Sequence, residues 1–121
     1  MNSSKKPCVT GGETPTVLEA FKERPCSFVF SHPHYHPPTP EEIDALIKLC
    51  GWSQNETAKL VGVSYNPKKG SSTIRKWRAK QTSDDYREIP YASWRLLLIY
   101  AGVVTVEEDL VAAIRSKNER V

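Results

Sequence analysis

At 121 residues and a net charge of +3, the chain has room for one small core and an arm, which excludes two sizeable domains. Its three cysteines (Cys8, Cys26 and Cys50) are odd in number and widely spaced, which argues against a disulfide framework. The longest apolar run, around Trp94–Val106, is broken by Arg95 and Gly102 and is too short and polar to cross a bilayer. Lys5 and Lys6 lead into no apolar secretion signal, so a soluble protein of the cytoplasm is expected.

In chain order, residues 1–38 read as a partly disordered N-terminal arm and linker, and residues 39–121 as the folded domain. Residues 1–16 are rich in Ser, Thr, Gly and Pro, the composition of a mobile arm. Thr16–Arg24 can form a short helix with Val17, Leu18 and Phe21 on one side, stopped by Pro25. Phe28, Val29 and Phe30 form an apolar triplet that suits a short strand or an extended piece docked on the core. In the HPHYHPPTP stretch that follows, Pro33, Pro37, Pro38 and Pro40 forbid a helix and favour an extended linker.

The helices then come in quick succession. Thr39 is placed to cap a first helix, with Pro40 at its first position and Glu42 completing a capping box. Ile43, Leu46, Ile47 and Cys50 repeat at helical spacing and predict its buried face, and Gly51 ends it. Ser53 and Glu56 form a second capping box, Ala58 and Val61 point inward, and Gly62 closes the second helix. Ser71 or Ser72 caps a third helix over 71–80 that buries Ile74 and Trp77. Asp84–Pro90 is a polar loop. Pro90 opens a fourth helix carrying Trp94, Leu97, Leu98 and Ala101. A fifth, Val106–Lys117, starts on Glu107, Glu108 and Asp109 and ends on Arg115 and Lys117, which suits the helix dipole. Leu110, Ala113 and Ile114 give it a packing face. The expected fold class is all-α.

Charge is concentrated in one place. Residues 65–80 hold six basic side chains (Lys68, Lys69, Arg75, Lys76, Arg78 and Lys80) and no acidic one. A basic stripe of this kind is an electrostatic footprint for a polyanion, although many basic faces are simply solvated.

The pattern SQNETAKLVGVS…STIRKW resembles the helix-turn-helix of lambda-repressor-like (Cro/XRE-type) regulators. Gln54 opens helix two, Ala58 is the small residue at the helix crossing, Gly62-Val63-Ser64 is the turn, and Ile74 and Trp77 face the core. Pro90 with the apolar helix behind it matches the family's fourth helix. The resemblance covers roughly 39–117 and implies a five-helix lambda-repressor-like DNA-binding domain with an extended N-terminal arm. It departs from the family in one respect: YNPKKG is inserted before helix three. That insert either bulges toward DNA, with Asn66, Lys68 and Lys69 adding phosphate contacts, or projects away from it.

The resemblance implies a sequence-specific DNA-binding regulator of bacterial, phage or mobile-element type, a repressor by default, with double-stranded DNA as partner. Helix three would enter the major groove with Ser71, Ser72 and Thr73 toward base edges, where free N–H groups also attract phosphate. Arg75 or Lys76 suits base readout, since Arg can bind guanine bidentately. Lys68, Lys69, Arg78 and Lys80 suit phosphate contacts, which position without specifying. Gln54 resembles the family's helix-two glutamine, which contacts phosphate and can brace helix three. One such motif makes few base contacts, so a homodimer on two half-sites is expected, through helix five or through the Phe28–Phe30 segment.

His32, His34 and His36 alternate, and in an extended chain they would face one way, with Cys26 near enough to join a metal site. A single Pro-rich segment is a poor frame for structural zinc, so no metal and no cofactor is expected. No catalytic constellation stands out among the carboxylates, and no enzyme is expected. A competing reading keeps the fold but makes the chain a protein-interaction module, an antitoxin or adaptor, that uses its apolar N-terminal segment.

Overall fold

Local capping sets the helix boundaries. The computed structural model describes residues 13–119, with side chains as far as Ile114. The first helix, α1 (Pro40–Cys50), starts where Thr39 Oγ1 accepts Glu42 N–H at 3.1 Å and Glu42 Oε1 accepts Thr39 N–H at 2.9 Å. The second, α2 (Gln54–Val61), repeats the device: Ser53 Oγ accepts Glu56 N–H at 3.0 Å and Glu56 Oε1 accepts Ser53 N–H at 2.8 Å. Each box satisfies two backbone donors that a helix start leaves unpaired. Gly51 and Gly62 stop these helices in the left-handed conformation. Three more helices follow: α3 (Ser72–Trp77), α4 (Tyr91–Tyr100) behind Pro90, and α5 (Val106–Glu119). The described residues are thus helical, and their one β-type contact is an isolated bridge between Asn66 and Gly70.

Several expectations are corrected here. The helix expected over Thr16–Arg24 is a 3₁₀ helix over Leu18–Glu23, followed by a second over Pro25–Ser27. Pro25 forces Arg24 into an extended conformation (ψ 148°), so no α-helix can run through it. Phe28–Phe30 is not a strand, and the histidine stretch is not extended throughout. His32 N–H bonds Val29 O at 2.9 Å and Tyr35 N–H bonds His32 O at 3.0 Å. The second of these is a turn with Pro33 at its second position, where the fixed proline φ fits. The third helix ends at Trp77 rather than at residue 80.

The core draws on α1–α4 and on the segment that precedes α1. Ile43, Leu46 and Ile47 come from α1, Ala58 from α2, Ile74 and Trp77 from α3, and Trp94, Leu97 and Leu98 from α4. Phe21 and Cys26 join them with no exposed surface. The described part of the expected arm is therefore integral to the core, and residue 38 is no boundary in packing. The mobile-arm expectation for residues 1–12, with Cys8, lies outside the described residues. Cys50, expected to be buried, is only half-buried, although that burial still raises its thiol pKa.

Polar groups tie the N-terminal segment down. Trp94 Nε1–H donates to Cys26 O at 2.8 Å across 68 positions of sequence. The buried Arg95 donates to Ser27 O at 2.8 Å and to Phe28 O at 3.3 Å, and pairs with Asp109 of α5 at 2.7 Å. Arg24 Nε reaches the buried Glu42 carboxylate at 2.7 Å, while that carboxylate also caps α1. Buried charges of this kind are tolerated because each is paired and hydrogen-bonded. The expected packing face of α5 is not packed: Leu110 and Ile114 are 55% and 54% exposed. No helix among the described residues is long and apolar enough to cross a membrane.

Trp94→Phe keeps an aromatic ring in the core but removes the indole donor to Cys26 O. The expected loss is about 0.5–1.5 kcal/mol, the usual net worth of one hydrogen bond. Urea unfolding of the two chains measures it, and equal midpoints would show that the bond contributes nothing.

Candidate nucleic-acid interface

The insert between α2 and α3 is a closed, hydrogen-bonded loop. Asn66 and Gly70 exchange two backbone bonds of 2.8 Å each. Inside that ring, Asn66 Oδ1 accepts Lys68 N–H at 2.8 Å and Lys69 N–H at 2.9 Å, an Asx-type turn that fixes the tip. Asn55 of α2 holds the base of the loop by donating to Asn66 O at 3.1 Å. The backbone is thus occupied inward, and the Lys68 and Lys69 side chains are left on the surface.

A single serine joins the insert to α3. Ser71 has no exposed surface. Its N–H donates to Gln54 Oε1 at 2.6 Å, its hydroxyl donates to Ser64 O at 2.8 Å, and the same oxygen accepts Ile74 N–H at 3.3 Å. Gly70 passes directly over Gln54: a Cβ there would lie 2.2 Å from Gln54 Oε1, and the glycine φ is +92°. Only a residue without a side chain fits both constraints. Ile74 and Trp77 anchor α3 in the core, so Ser72 and Arg75 are turned outward.

The expected contact residues sort into distinct groups. Asn66, Lys69, Ser72 and Arg75 line one cleft of about 380 Å³, together with Ser64, Tyr65 and Gly70. Lys68 is exposed at the loop tip beside it, and Thr73 and Lys76 are half-exposed on α3. Ser71 is removed from the contact set, because it is fully buried and all its polar groups are used internally. Gln54 serves as the brace, its side-chain oxygen taken by Ser71. Arg78 is not a free cation. Its guanidinium pairs with Asp44 of α1, with Nε 2.8 Å from Oδ1. Lys80 shares a separate cleft with Asp44, Lys48 and Arg78, over α1 rather than beside the insert. The N-terminus of α3 is also less open to phosphate than expected, since Ser71 itself caps it.

Tyr65 is the residue that spacing arguments missed. It is 41% exposed on the cleft wall, and Lys59 Nζ lies 5.4 Å from its ring centre. Its one signal in the sequence is position: an aromatic residue opening the basic window.

The three histidines do not converge. His32 stacks against Phe28 with ring centres 4.3 Å apart, and its Nδ1 accepts His34 N–H at 3.0 Å. His36 Nδ1 faces Pro37 O at 2.9 Å. Among the described residues, no group of three or more His, Cys, Asp or Glu is placed to hold a metal ion.

No protein-family model matches the chain. Two Escherichia coli proteins, each named transcriptional repressor protein KorC, are similar to it. One is 38% identical over 73 residues, which is 60% of this chain and 76% of that protein. The other is 32% identical over 66 residues, 54% of this chain and 68% of that protein. The chain belongs to the KorC family.

In this KorC-family chain the Arg78–Asp44 pair also sets a pH dependence. Partial burial pushes the Asp44 carboxyl up, but hydrogen bonds from Lys48 and Arg78, with their positive charges, outweigh it and hold the group below its ordinary value. A carboxylate depressed in the folded state contributes stability at neutral pH and loses it as pH falls through its folded pKa, which lies below the ordinary carboxylate range. Asp44→Asn should therefore cost about 1 kcal/mol or less at pH 7, given its partial exposure. The gap to the parent should shrink near pH 3, as thermal melts at the two pH values would show. A gap that widens in acid would contradict the assignment.

Gly70→Ala combines a disfavoured φ with a steric clash on Gln54, whereas Gly62→Ala meets a positive φ in open space. The Gly70 variant should be the less stable of the two by about 1–2 kcal/mol. Chemical unfolding of both variants checks this ordering.

Proposed function

We propose that this chain is a sequence-specific DNA-binding repressor, acting as a homodimer in the cytoplasm. In this reading α2 and α3 form a helix-turn-helix of the Cro/XRE kind, within a lambda-repressor-like arrangement of five helices. Helix α3 enters the major groove, and the insert rides beside it. The relatives' name supplies the repressor class. The supporting observation is the cleft itself: two cations, Lys69 and Arg75, with Ser72 and Tyr65, on a surface whose backbone is locked from behind.

The roles divide by distance from the core. Arg75 projects from the middle of α3, between buried Ile74 and Trp77, and takes base readout, with Lys76, Ser72 and Thr73 beside it. Lys68 and Lys69 sit on the insert and take phosphates, which fix register without reading sequence. Asn66 shapes the loop that carries them. Arg78 contributes through α1, and Lys80 is left at the margin. A short helix of six residues offers few readers, so a braced insert that adds contacts beside it has a clear physical use.

The competing interaction-module reading needs a free apolar N-terminal segment. The backbone of that segment is tied down, although the Phe30 side chain stays 66% exposed. Arg95 holds the Phe28 carbonyl, and Phe30 N–H donates to the Tyr91 hydroxyl at 3.0 Å. The Phe30 ring packs 5.1 Å from Tyr91 and 5.8 Å from Tyr35.

Fluorescence anisotropy on DNA from the gene's own upstream region, against scrambled DNA of equal length, tests the proposal. Arg75→Ala should cost about 1–3 kcal/mol on the native sequence and much less on scrambled DNA. Lys68→Ala with Lys69→Ala should weaken both DNAs alike and lower the salt slope by about two. Equal affinity of the parent for both DNAs at physiological salt would overturn sequence specificity. Unchanged binding by the lysine pair would turn the insert away from DNA.

A further inference from the structure

One exposed cation stands beside the cleft but outside the basic window. Lys59, in the last turn of α2, holds its Nζ 5.4 Å from the centre of the Tyr65 ring, within the range of a cation–π contact. Among the described residues Lys59 pairs with no carboxylate, and the Tyr65 hydroxyl has no hydrogen-bond partner. Similar groups elsewhere are used internally. Arg78 is neutralised by Asp44, and the Tyr91 hydroxyl accepts Phe30 N–H.

The Tyr65 ring projects from a fixed backbone. On one side Ser64 O accepts the Ser71 hydroxyl at 2.8 Å. On the other, Asn66 and Gly70 exchange two backbone bonds of 2.8 Å each. The ring therefore stands at a set place on the wall of the cleft that Lys69, Ser72 and Arg75 also line. Its face carries the Lys59 ammonium, and its edge carries an O–H donor. Charge and donor together match a phosphate, which offers negative charge and several acceptor oxygens. A base edge could meet the hydroxyl but has no charge for the ammonium. In a helix-turn-helix the first helix crosses the DNA backbone, which is where a cation on α2 meets phosphate.

We propose that Lys59 and Tyr65 together bind one DNA phosphate, the ammonium supplying charge and the phenol a hydrogen bond. The duplex is then held from α2 as well as from the insert and α3. This rests on the DNA-binding reading of the cleft and adds two contact residues to it.

Fluorescence anisotropy on the native and scrambled duplexes tests it. Both side chains are exposed, so each variant should keep the parent's circular-dichroism melt. Tyr65→Phe keeps the ring and should weaken both DNAs about three- to tenfold, the scale of one hydrogen bond. Its salt slope should match the parent's, because a neutral hydroxyl releases no counterion. Lys59→Gln should weaken both DNAs and lower the salt slope by about one. The double variant should lose less than the product of the single losses, because both groups act on the same phosphate. Tyr65→Phe binding like the parent, or Lys59→Gln with the parent's slope, overturns the contact. Fully multiplicative losses overturn the shared phosphate. A Tyr65→Phe loss confined to native DNA makes Tyr65 a base reader and overturns the phosphate assignment. Failure of the repressor reading looks different. A parent that binds both DNAs equally loses sequence specificity, while these losses on both DNAs still establish the phosphate contact. A parent that binds neither DNA overturns both.

Discussion

Ser71 is the point on which the proposed DNA-binding surface depends. It is fully buried, and its N–H and hydroxyl make three hydrogen bonds: to Gln54 Oε1, to Ser64 O, and from Ile74 N–H. Each leads to a different element: α2, the start of the insert, and α3. A buried polar residue is costly unless every group is satisfied, and a satisfied one fixes geometry more tightly than apolar contact can. Ser71 therefore converts three flexible neighbours into one rigid body. Gly70 follows from it, because the backbone must pass Gln54 at a distance that admits no side chain. The insert then closes on itself through Asn66, and its lysines are presented from a fixed frame rather than from a loose loop.

Electrostatics in this protein is decided by local partners rather than by the count of charges. The basic window holds six cations, but they do not act together. Arg78 is drawn off by Asp44, whose carboxyl is held below its usual pKa by Arg78 and Lys48. Lys80 lies over α1. What remains near the cleft is a smaller group, Lys68, Lys69, Arg75 and Lys76, on the insert and the exposed side of α3. A surface that binds DNA needs its cations at defined spacing more than it needs a large net charge, and a net charge of +3 is compatible with that.

The N-terminal segment and α5 form a second system, linked by Arg95. Its guanidinium touches Ser27 O and Phe28 O on one side and Asp109 on the other. This one buried cation fastens the segment before α1 to the helix after α4. The attachment uses the polar side of α5 and leaves its apolar row outward. The core is already complete without that row: Trp94, Leu97 and Leu98 of α4 are fully buried beneath the N-terminal segment and α1–α3. The helix is thus held in place by charge, with its apolar row outward.

Much of the local chemistry was legible in the amino-acid sequence. The Thr39–Glu42 and Ser53–Glu56 boxes, the stops at Gly51 and Gly62, and the burial of Ile43, Leu46, Ile47, Ile74 and Trp77 all depend on residues within a turn or two of each other. Such interactions leave a spacing that can be read directly. The sequence also placed the basic window and the insert, and Arg75 on the outward side of α3. Tertiary structure alone decided the rest. It put Phe21 and Cys26 in the core, because Trp94 and Arg95 supply donors to backbone carbonyls 68 positions away. It took Ser71 and Arg78 out of the contact surface, because their partners, Gln54 and Asp44, come from other helices. It left Leu110 and Ile114 exposed, because whether a periodic apolar face is buried depends on what stands opposite it. Pattern within a segment records the local free energy of that segment, whereas a partner distant in sequence leaves no periodicity by which to find it.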